Sequence, residues 1–259
     1  MKTKMQTNCD DFDSLIYEYD SLPSTQTEAK RLALDGVKKA IIVTKEQTRG
    51  RGRCGRNWES LHDGGLYVSF LITPHIHPSN IHLLNFAAGL SVVFHLRNIH
   101  GIDAALKWPN DVITETEGKL RKICGILTEA AINGEDVKYC IVGIGVNCKL
   151  AAIPPELIYR ACALDEYIDD TDNRVLLEGI TNEFYKRLEC LELGDTENLL
   201  QEYISSCSTI GKAVRIETGD RIINGTATGI GSTGELLVET GNGIEKFSSA
   251  DVFHATICL

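Results

Sequence analysis

The pattern of apolar and polar positions along the first 206 residues predicts a mixture of helices and strands. Residues 25–28 (Thr-Gln-Thr-Glu) have the spacing of a capping box, which predicts a helix that begins there and ends before Gly36. Apolar residues recur at helical spacing from 80 to 100, and Gly101 follows as a stop signal. Short apolar runs, many of them β-branched or alternating, predict strands at 40–44, 66–73, 102–108, 111–114, 122–132 and 137–147.

The connections between these strands indicate how the sheet is built. Asn133-Gly134 lies between the last two strands and is a strong signal for a β-hairpin. A polar turn at 115–118 joins the strands at 111–114 and 122–132. Because hairpins connect antiparallel neighbours, the sequence predicts an α+β fold with helices and a mixed or antiparallel sheet.

The C-terminal part of the chain has a different pattern. Thr171 or Asp172 can cap a helix that carries apolar residues on one face, and a further helix is expected at 196–206. After Gly211, short strands at 213–217, 222–229, 235–239 and 244–247 alternate with turn signals, among them 218–220 and Asn224-Gly225. This alternation is typical of a small all-β barrel. We therefore expect two domains, residues 1–206 and residues 207–259.

The composition is that of a folded protein without a broad basic surface. The 259 residues carry a net charge of −10, from 26 Lys and Arg against 36 Asp and Glu, which argues against a nucleic-acid partner. No apolar run predicts a signal peptide or a membrane span. Nine cysteines occur without a CxxC pair, which favours reduced thiols over disulfides or a zinc site. We expect a soluble, cytoplasmic protein.

A basic, glycine-rich segment stands out against this acidic background. Between residues 45 and 58 the chain has five basic residues and one acidic residue, with glycines at 50, 52 and 55. Arginine offers a planar fork that matches a carboxylate or a phosphate, and glycine lets the backbone approach a ligand. Arg51 and Arg53, two residues apart, would lie on one side of an extended loop. The segment is either an anion-binding loop or a solvated basic loop, and charge alone leaves both possible.

Three further segments carry candidate chemistry. Lys107-Trp-Pro-Asn-Asp111 joins two predicted strands and combines a cation for phosphate with groups that could hold hydrated magnesium, although Pro-Asn-Asp is also ordinary turn chemistry. Lys122 places a cation at the start of the apolar strand Ile123-Cys-Gly-Ile-Leu127. Gly143-Ile-Gly-Val-Asn147 ends a strand with small residues and an amide, which allows close approach of a ligand or simply ends the strand.

Taken together, in this order and at this spacing, these segments resemble the biotin–protein ligases. The shared elements are Gln47 and Gly50-Arg-Gly-Arg-x-Gly-Arg-x-Trp58, Lys107-Trp-Pro-Asn-Asp111, Lys122-x-x-Gly-Ile-Leu127 and Gly143-x-Gly-x-Asn147. The likeness covers about residues 15–259 and includes Ser24-Thr25-Gln26, which looks like the family's biotin-binding S-T-N/Q element. The C-terminal strands look like the family's SH3-like domain.

The resemblance implies an ATP-dependent ligase whose substrates are biotin and ATP, with Mg²⁺ as the metal. Biotin's carboxylate would attack the α-phosphate of ATP and give biotinyl-5′-AMP and pyrophosphate. A lysine amine of a biotin carboxyl carrier protein would then attack this mixed anhydride and release AMP. Such a reaction brings an anion onto a polyanion, so catalysis should depend on positioning and on fixed positive charge.

The resemblance also implies which residues form the site. Biotin would be contacted by Ser24, Thr25, Gln26, Gln47, Arg51, Gly52, Arg53 and Lys122. The nucleotide would be contacted by Arg51, Arg53, Arg56, Trp58, Lys107, Asn110 and Asn147, with Trp58 acting mainly as an anchor for the loop. Catalysis would rest on Arg53, Lys122 and Asp111, and Asp111 is the candidate Mg²⁺ ligand.

Two other functions are compatible with parts of this pattern. A lipoate–protein ligase shares the fold and the adenylate strategy, but its sequence pattern in the arginine loop differs. A non-catalytic module that binds biotin or nucleotide would have no need of Arg53, Lys122 and Asp111. About 20 residues precede Ser24, too few for the DNA-binding domain of the repressor members of the family, so repression is not expected. The sequence is compatible with a monomer or a homodimer.

Overall fold

The computed structural model describes residues 3–5, 15–169, 171–218 and 221–254 of the chain. Within these residues, the larger sheet has eight strands in the order β1-β2-β3-β4-β8-β7-β6-β5. Strands β2 and β3 run parallel, and the remaining neighbours run antiparallel. The strands are β1 (Thr3–Met5), β2 (Leu15–Tyr19), β3 (Ala40–Thr44), β4 (Gly65–Ile72), β5 (Ala104–Lys107), β6 (Asp111–Thr116), β7 (Lys119–Asn133) and β8 (Asp136–Asn147). The predicted mixed sheet is confirmed.

Helices cover both faces of this sheet. Successive side chains of a strand point to opposite faces, so Phe70 faces one layer of helices and its neighbour Leu71 faces the other. Helix α1 (Thr25–Leu34) packs on the face of Leu71. Helices α2 (Leu83–His100) and α3 (Asn173–Glu192) pack on the face of Phe70, where the main core lies.

Helix α2 is apolar because it is enclosed by the fold. By length and composition alone, residues 78–100 could cross a membrane, but two thirds of that window is buried inside the structure. The helix packs against the sheet on one side and against α3 and α4 (Thr196–Ser206) on the other. Gly101 ends it in the left-handed conformation, with φ 65°, as its sequence predicts.

The C-terminal strands form a second sheet. Among the described residues it has five antiparallel strands in the order β12-β11-β10-β9-β13. They are β9 (Ala213–Thr218), β10 (Arg221–Ile230), β11 (Leu236–Thr240), β12 (Gly243–Phe247) and β13 (Asp251–His254). This arrangement agrees with the expected SH3-like domain, which we call the C-terminal barrel.

The core of the barrel is continuous with the core of the larger sheet. Phe86 of α2 stacks on Tyr203 of α4 with ring centroids 3.5 Å apart, and Gly234 of the barrel lies against the same Phe86 ring. The indole of Trp108, which is buried, donates a hydrogen bond from Nε1 to the Gly234 carbonyl at 3.0 Å. The division of the chain at residue 206 stays a prediction.

Three local predictions were wrong or incomplete. The capping box at 25–28 does not form: Ser24 is the N-cap, and the Thr25 hydroxyl donates to Gln47 and accepts from Ser69 instead of accepting from a backbone N–H of its own helix. Asn224-Gly225 lies inside β10 and not in a turn, because Gly225 allows close approach of β11; a Cβ there would lie 2.4 Å from the Glu239 carbonyl oxygen. Strand β13 was not predicted from the sequence, because no turn signal marks where it begins. The turn predicted at 218–220 falls partly outside the described residues.

Candidate active site

Two cavities meet beneath the basic loop. The first has an empty volume of about 460 Å³ and lies between the N-terminus of α1, the loop and the middle of strands β7 and β8. The second, of about 690 Å³, lies between the loop, the turn from β5 to β6 and strand β13 of the barrel. Both cavities are lined by Gly52, Arg53, Trp58, Asn110 and Lys122. These five residues therefore mark the junction.

The far end of the first cavity is polar but uncharged, and it is rigidly built. The Gln47 side-chain oxygen accepts from the backbone N–H of Thr25 at 2.9 Å and from its hydroxyl at 3.2 Å. Ser69 donates to the Thr25 hydroxyl oxygen at 2.8 Å, and Gln47 Nε2 donates to Ser60 at 2.9 Å. A network in which each member has a partner holds its side chains in one geometry.

Two polar atoms at this end have no hydrogen-bond partner among the residues that the structure describes. The Oγ of Ser24 and the Oε1 of Gln26 are both buried and without a hydrogen bond, whereas the Nε2 of Gln26 donates to the Leu127 carbonyl at 2.7 Å. Leaving a buried polar atom unpaired costs about 1–3 kcal/mol. Such atoms beside a cavity indicate a polar ligand that supplies the missing hydrogen bonds.

The arginines of the loop have different partners, although Arg51 and Arg53, which the sequence predicts on one side of the loop, both line the first cavity. A short 3₁₀ turn at Arg53–Gly55, with Cys54 at φ 53°, follows Arg53. Arg51 makes a bidentate pair with Glu129 of β7, at 2.7 and 3.0 Å. Arg56 pairs instead with Asp251 of the barrel.

Arg53 lies at the junction and connects the turn between β5 and β6 with the C-terminal barrel. Its Nη1 donates to the Asn110 side-chain oxygen at 3.1 Å, and its Nη2 donates to Ser249 of the barrel at 2.7 Å. A further contact, from Nη1 to the Ala250 carbonyl, measures 3.4 Å. All of these acceptors are uncharged, so the charge of Arg53 is available to an anion in either cavity.

Lys122 provides a second cation at the same point. Its Nζ lies 2.6 Å from Oδ1 of Asp111, which is on the neighbouring strand β6. The ammonium also sits 5.1 Å from the ring centroid of Trp58, within the range of a cation–π contact. Side-chain exposures of 30% for Lys122 and 24% for Asp111 leave both groups accessible from the cavities.

The second cavity is lined by four cationic side chains, Arg53, Arg56, Lys107 and Lys122, and by two carboxylates, Asp111 and Asp251. Burial is the main cause that lowers the pKa of the Lys107 ammonium below its ordinary value; Lys122 lowers that pKa further, and Asp111 opposes the shift. Lys107 is held at the end of β5 because the next residue, Trp108, is fixed to the barrel through its indole and through its backbone N–H, which donates to Thr209 at 3.1 Å. A positively charged group that is costly to bury favours an anionic ligand beside it.

One expected site residue lies apart from the cavities. The Asn147 amide donates to the carbonyl oxygens of Cys162, at 3.1 Å, and Lys122, at 3.4 Å, and it lines neither cavity. In this structure it ties the end of β8 to the start of β7. The structure brings the other expected residues to the two cavities: Ser24, Thr25, Gln26, Gln47, Arg51, Gly52, Arg53, Arg56, Trp58, Lys107, Asn110, Asp111 and Lys122.

Two carboxylates that hold the loop were not found from the sequence. Glu129 and Asp251 are 78 and 195 residues from their arginine partners. Nothing in their local sequence distinguishes them from other acidic residues. The described residues contain no group of three or more His, Cys, Asp or Glu side chains that could hold a metal ion.

Comparisons with known proteins agree with this geometry. Residues 19–147 match the family described as "Biotin/lipoate A/B protein ligase family", and residues 209–255 match "Biotin protein ligase C terminal domain". The Bacillus subtilis protein named "Bifunctional ligase/repressor BirA" is 35% identical over 92% of this chain and 73% of its own length. The chain belongs to the biotin–protein ligase family.

Because the chain belongs to this family, the protein is a ligase. It is similar both to relatives whose names include a repressor and to relatives named only as ligases. The Paracoccus denitrificans "Biotin--[acetyl-CoA-carboxylase] ligase" is 28% identical over 89% of this chain and 96% of its own length. The solved structure titled "Biotin protein ligase from Aquifex aeolicus in complex with biotin and ATP" has a TM-score of 0.80 and 31% identity, over 94% of this chain and 100% of that one. The ligase fold and the expected SH3-like domain are thereby confirmed.

Proposed function

We propose that this ligase forms biotinyl-5′-AMP from biotin and ATP and transfers the biotinyl group to a lysine of a biotin carboxyl carrier protein. The observation that carries the proposal is the junction of the two cavities at Arg53 and Lys122. One cavity ends in uncharged hydrogen-bonding groups, and the other is lined by four cationic side chains against two carboxylates. Two different substrates, one in each cavity, can thus meet beside the positive charges of Arg53 and Lys122.

The first cavity suits biotin. The ureido ring of biotin has N–H donors and a carbonyl acceptor but no charge, which matches the buried, unpartnered oxygens of Ser24 and Gln26 and the fixed Thr25 hydroxyl. Leu127, which pairs with Gly143 and lies on the same face of the sheet, and the ring of Trp58 would lie along its hydrocarbon chain. Its carboxylate would then reach Arg53 and Lys122.

The second cavity suits the nucleotide. ATP phosphates placed beside Lys107, Arg53 and Arg56 would meet three cations, and Arg56 would exchange its pair with Asp251 for a phosphate oxygen. The α-phosphate would lie nearest the junction. Mg²⁺ would be carried in by the phosphates, with Asp111 as its protein ligand; magnesium is commonly bound by one or two carboxylates together with substrate phosphates. The metal would supply charge neutralisation on the phosphate oxygens.

The first step follows from this placement. A carboxylate oxygen of biotin attacks the α-phosphorus, an acyl C–O–P bond forms, and the bond from the α-phosphorus to the bridging oxygen breaks with release of pyrophosphate. The carboxylate is already ionised at neutral pH, so no general base is needed. Arg53 and Lys122 reduce the repulsion between the two anions and stabilise the charge that develops on the phosphoryl oxygens.

In the second step the amine of the carrier lysine attacks the acyl carbon, an amide bond forms, AMP leaves with the oxygen of the broken C–O bond, and the proton lost by the nitrogen passes to solvent. The attacking amine must be neutral, and the cations at the junction discourage its protonated form. Asp111, whose Oδ1 lies 2.6 Å from Lys122 Nζ in the structure, would hold Lys122 in position. The loop shields the mixed anhydride from water until the carrier arrives.

Two alternative functions differ from this proposal, one in the acid that is the substrate and the other in whether that acid is transferred to a carrier protein. The family includes lipoate ligases, but the dithiolane ring of lipoate has no ureido group for Ser24 and Gln26, which favours biotin. A non-catalytic binding module would hold biotin or nucleotide without modifying a carrier. The absence of repressor activity and the oligomeric state stay predictions.

The test is transfer of labelled biotin, in the presence of ATP and Mg²⁺, to an isolated biotin-carrier domain. Label is expected on the acceptor lysine, and a carrier with that lysine replaced by arginine is the control. Transfer of lipoate but not biotin would assign the protein to the lipoate ligases. Binding of biotin with no label on the intact carrier would contradict a ligase function for these cavities.

A further inference from the structure

Two glycines of neighbouring strands face each other beneath the loop. Gly125 of β7 and Gly145 of β8 are direct partners in the antiparallel register. Side chains of residues paired in this way project to the same face of the sheet, so the lack of two side chains leaves a depression there. Both glycines line the first cavity.

The depression is filled by a side chain of the loop. A Cβ built on Gly145 would lie 2.6 Å from Cε2 and Nε1 of Trp58, and a Cβ on Gly125 would lie 2.8 Å from Cζ3 of the same ring. These distances are far inside van der Waals contact, so neither position accepts even a methyl group while the indole is in place. The indole therefore lies directly on the backbone of both strands.

Gly125 also determines where Lys122 can lie. A Cβ on Gly125 would be 2.9 Å from both Cε and Nζ of Lys122, whose ammonium rests over the Trp58 ring. The indole Nε1 of Trp58 is buried and has no hydrogen-bond acceptor among the described residues.

Trp58 is firmly attached to the rest of the loop. Its backbone N–H donates to the Gly50 carbonyl at 3.1 Å, and Arg51 and Asn57 form a β-bridge between the two arms of the loop. Displacement of the indole would therefore move Arg51 and Arg53 as well. The position of the Trp58 ring is therefore coupled to the positions of Arg51, Arg53 and Lys122.

We infer that Gly125 and Gly145 form a socket for Trp58, and that seating of the indole in this socket holds the loop arginines and Lys122 in their reactive positions. Gly125 and Gly145 are thus positioning residues. The more obvious explanation, that they are glycines in order to let a ligand touch the strands, is disfavoured because the space above them is occupied by Trp58. The catalytic consequence rests on the proposed function, but the socket itself does not.

The test combines a measurement without ligand and one with the adenylate. Gly145→Ala should displace Trp58 and expose the loop, so tryptic cleavage after Arg51, Arg53 or Arg56, identified by mass spectrometry, should accelerate by about tenfold or more. Dissociation of preformed biotinyl-5′-AMP should accelerate by about the same factor. Gly229→Ala is the matched control, because a Cβ on this strand glycine would meet only Leu237 Cδ1, at 3.8 Å.

A double variant separates the socket from direct contact with ligand. In a Trp58→Leu background the indole is gone, so adding Gly145→Ala should change loop cleavage and adenylate dissociation by less than about twofold. Full additivity of the two substitutions, or wild-type cleavage in Gly145→Ala, would overturn the socket. Faster cleavage with unchanged adenylate dissociation would support the socket and refute the placement of the adenylate. If Gly145→Ala does not fold, Gly125→Ala serves in its place.

Discussion

Replacing Lys122 by methionine tests the central electrostatic argument, because methionine keeps much of the side-chain length and removes the charge. In the folded protein, Lys122 Nζ lies 2.6 Å from Asp111 Oδ1. An ion pair between partly exposed side chains contributes about 1 kcal/mol or less to the free energy of unfolding. The free energy of unfolding should therefore fall only modestly. Loss of one preorganised donor at developing negative charge costs about 10²–10³-fold in rate.

The assays are biotin-dependent pyrophosphate exchange for adenylation and urea unfolding for stability. We expect exchange to fall by about 100-fold or more in Lys122→Met, whereas the free energy of unfolding falls by about 1 kcal/mol. Lys138→Met is the matched control, since Lys138 makes an exposed pair with Asp136 at 3.6 Å, away from both cavities. It should leave both measurements unchanged.

A double variant makes the result decisive. Lys122→Met with Asp111→Asn removes the unpaired carboxylate and should restore most of the lost stability, but not the exchange rate. If Lys122→Met alone keeps exchange within about threefold of the wild-type rate, or if the double variant recovers activity together with stability, Lys122 acts only as the partner of Asp111. The proposed role at the reacting atoms would then be refuted.

Three other predictions use different properties of the site. Arg53→Ala should release biotinyl-5′-AMP about tenfold faster or more, measured by escape of labelled adenylate, because the junction loses one cation; unchanged retention and transfer would count against its assignment. Ser24→Ala should raise KM for biotin by about fivefold or more with KM for ATP unchanged, since Ser24 Oγ lies unpaired at the far end of the first cavity; a parallel rise in both constants would contradict this. Burial, together with the charges of Lys107 and Lys212, lowers the pKa of His254 to about 4. The unfolded chain, with a histidine pKa near 6.5, therefore binds more protons, and stability should fall as pH drops from about 6.5 to about 4, by at most roughly 1.4 kcal/mol per pH unit. His254→Gln should flatten that slope in urea unfolding between about pH 7 and pH 5, and an unchanged slope would show that other groups cause it.

Helix ends and turns that depend on residues close together in the chain were predictable from the sequence. Helix α2 ends at Gly101 because the left-handed conformation is easily adopted by glycine, and Asp172 caps α3 by accepting from the Arg174 N–H. The hairpin at Asn133-Gly134 joins β7 to β8, with Gly134 at φ 62°. The set of residues around the two cavities also followed from motifs, because each motif is a short run of chain with its own chemistry.

Other features depend on residues that are far apart in the chain. The capping box of α1 fails because Gln47 and Ser69, brought from other elements, offer the Thr25 hydroxyl better partners than its own helix does. Asn147 looks like a ligand-binding amide, yet its hydrogen bonds go to the backbone at Cys162 and Lys122. The residues next to Thr25 and Asn147 in the sequence do not indicate which distant groups will be their hydrogen-bond partners.

The glycine–arginine composition of the loop is compatible with an anion site, and the family resemblance implies one, but neither determines where each arginine side chain lies. That is decided by Glu129 on one strand, Asp251 on the barrel and the Gly125–Gly145 socket beneath Trp58. A flexible loop has no preferred geometry of its own, because glycine permits many backbone conformations at similar energy. Its arrangement comes from the surfaces that the rest of the chain folds around it.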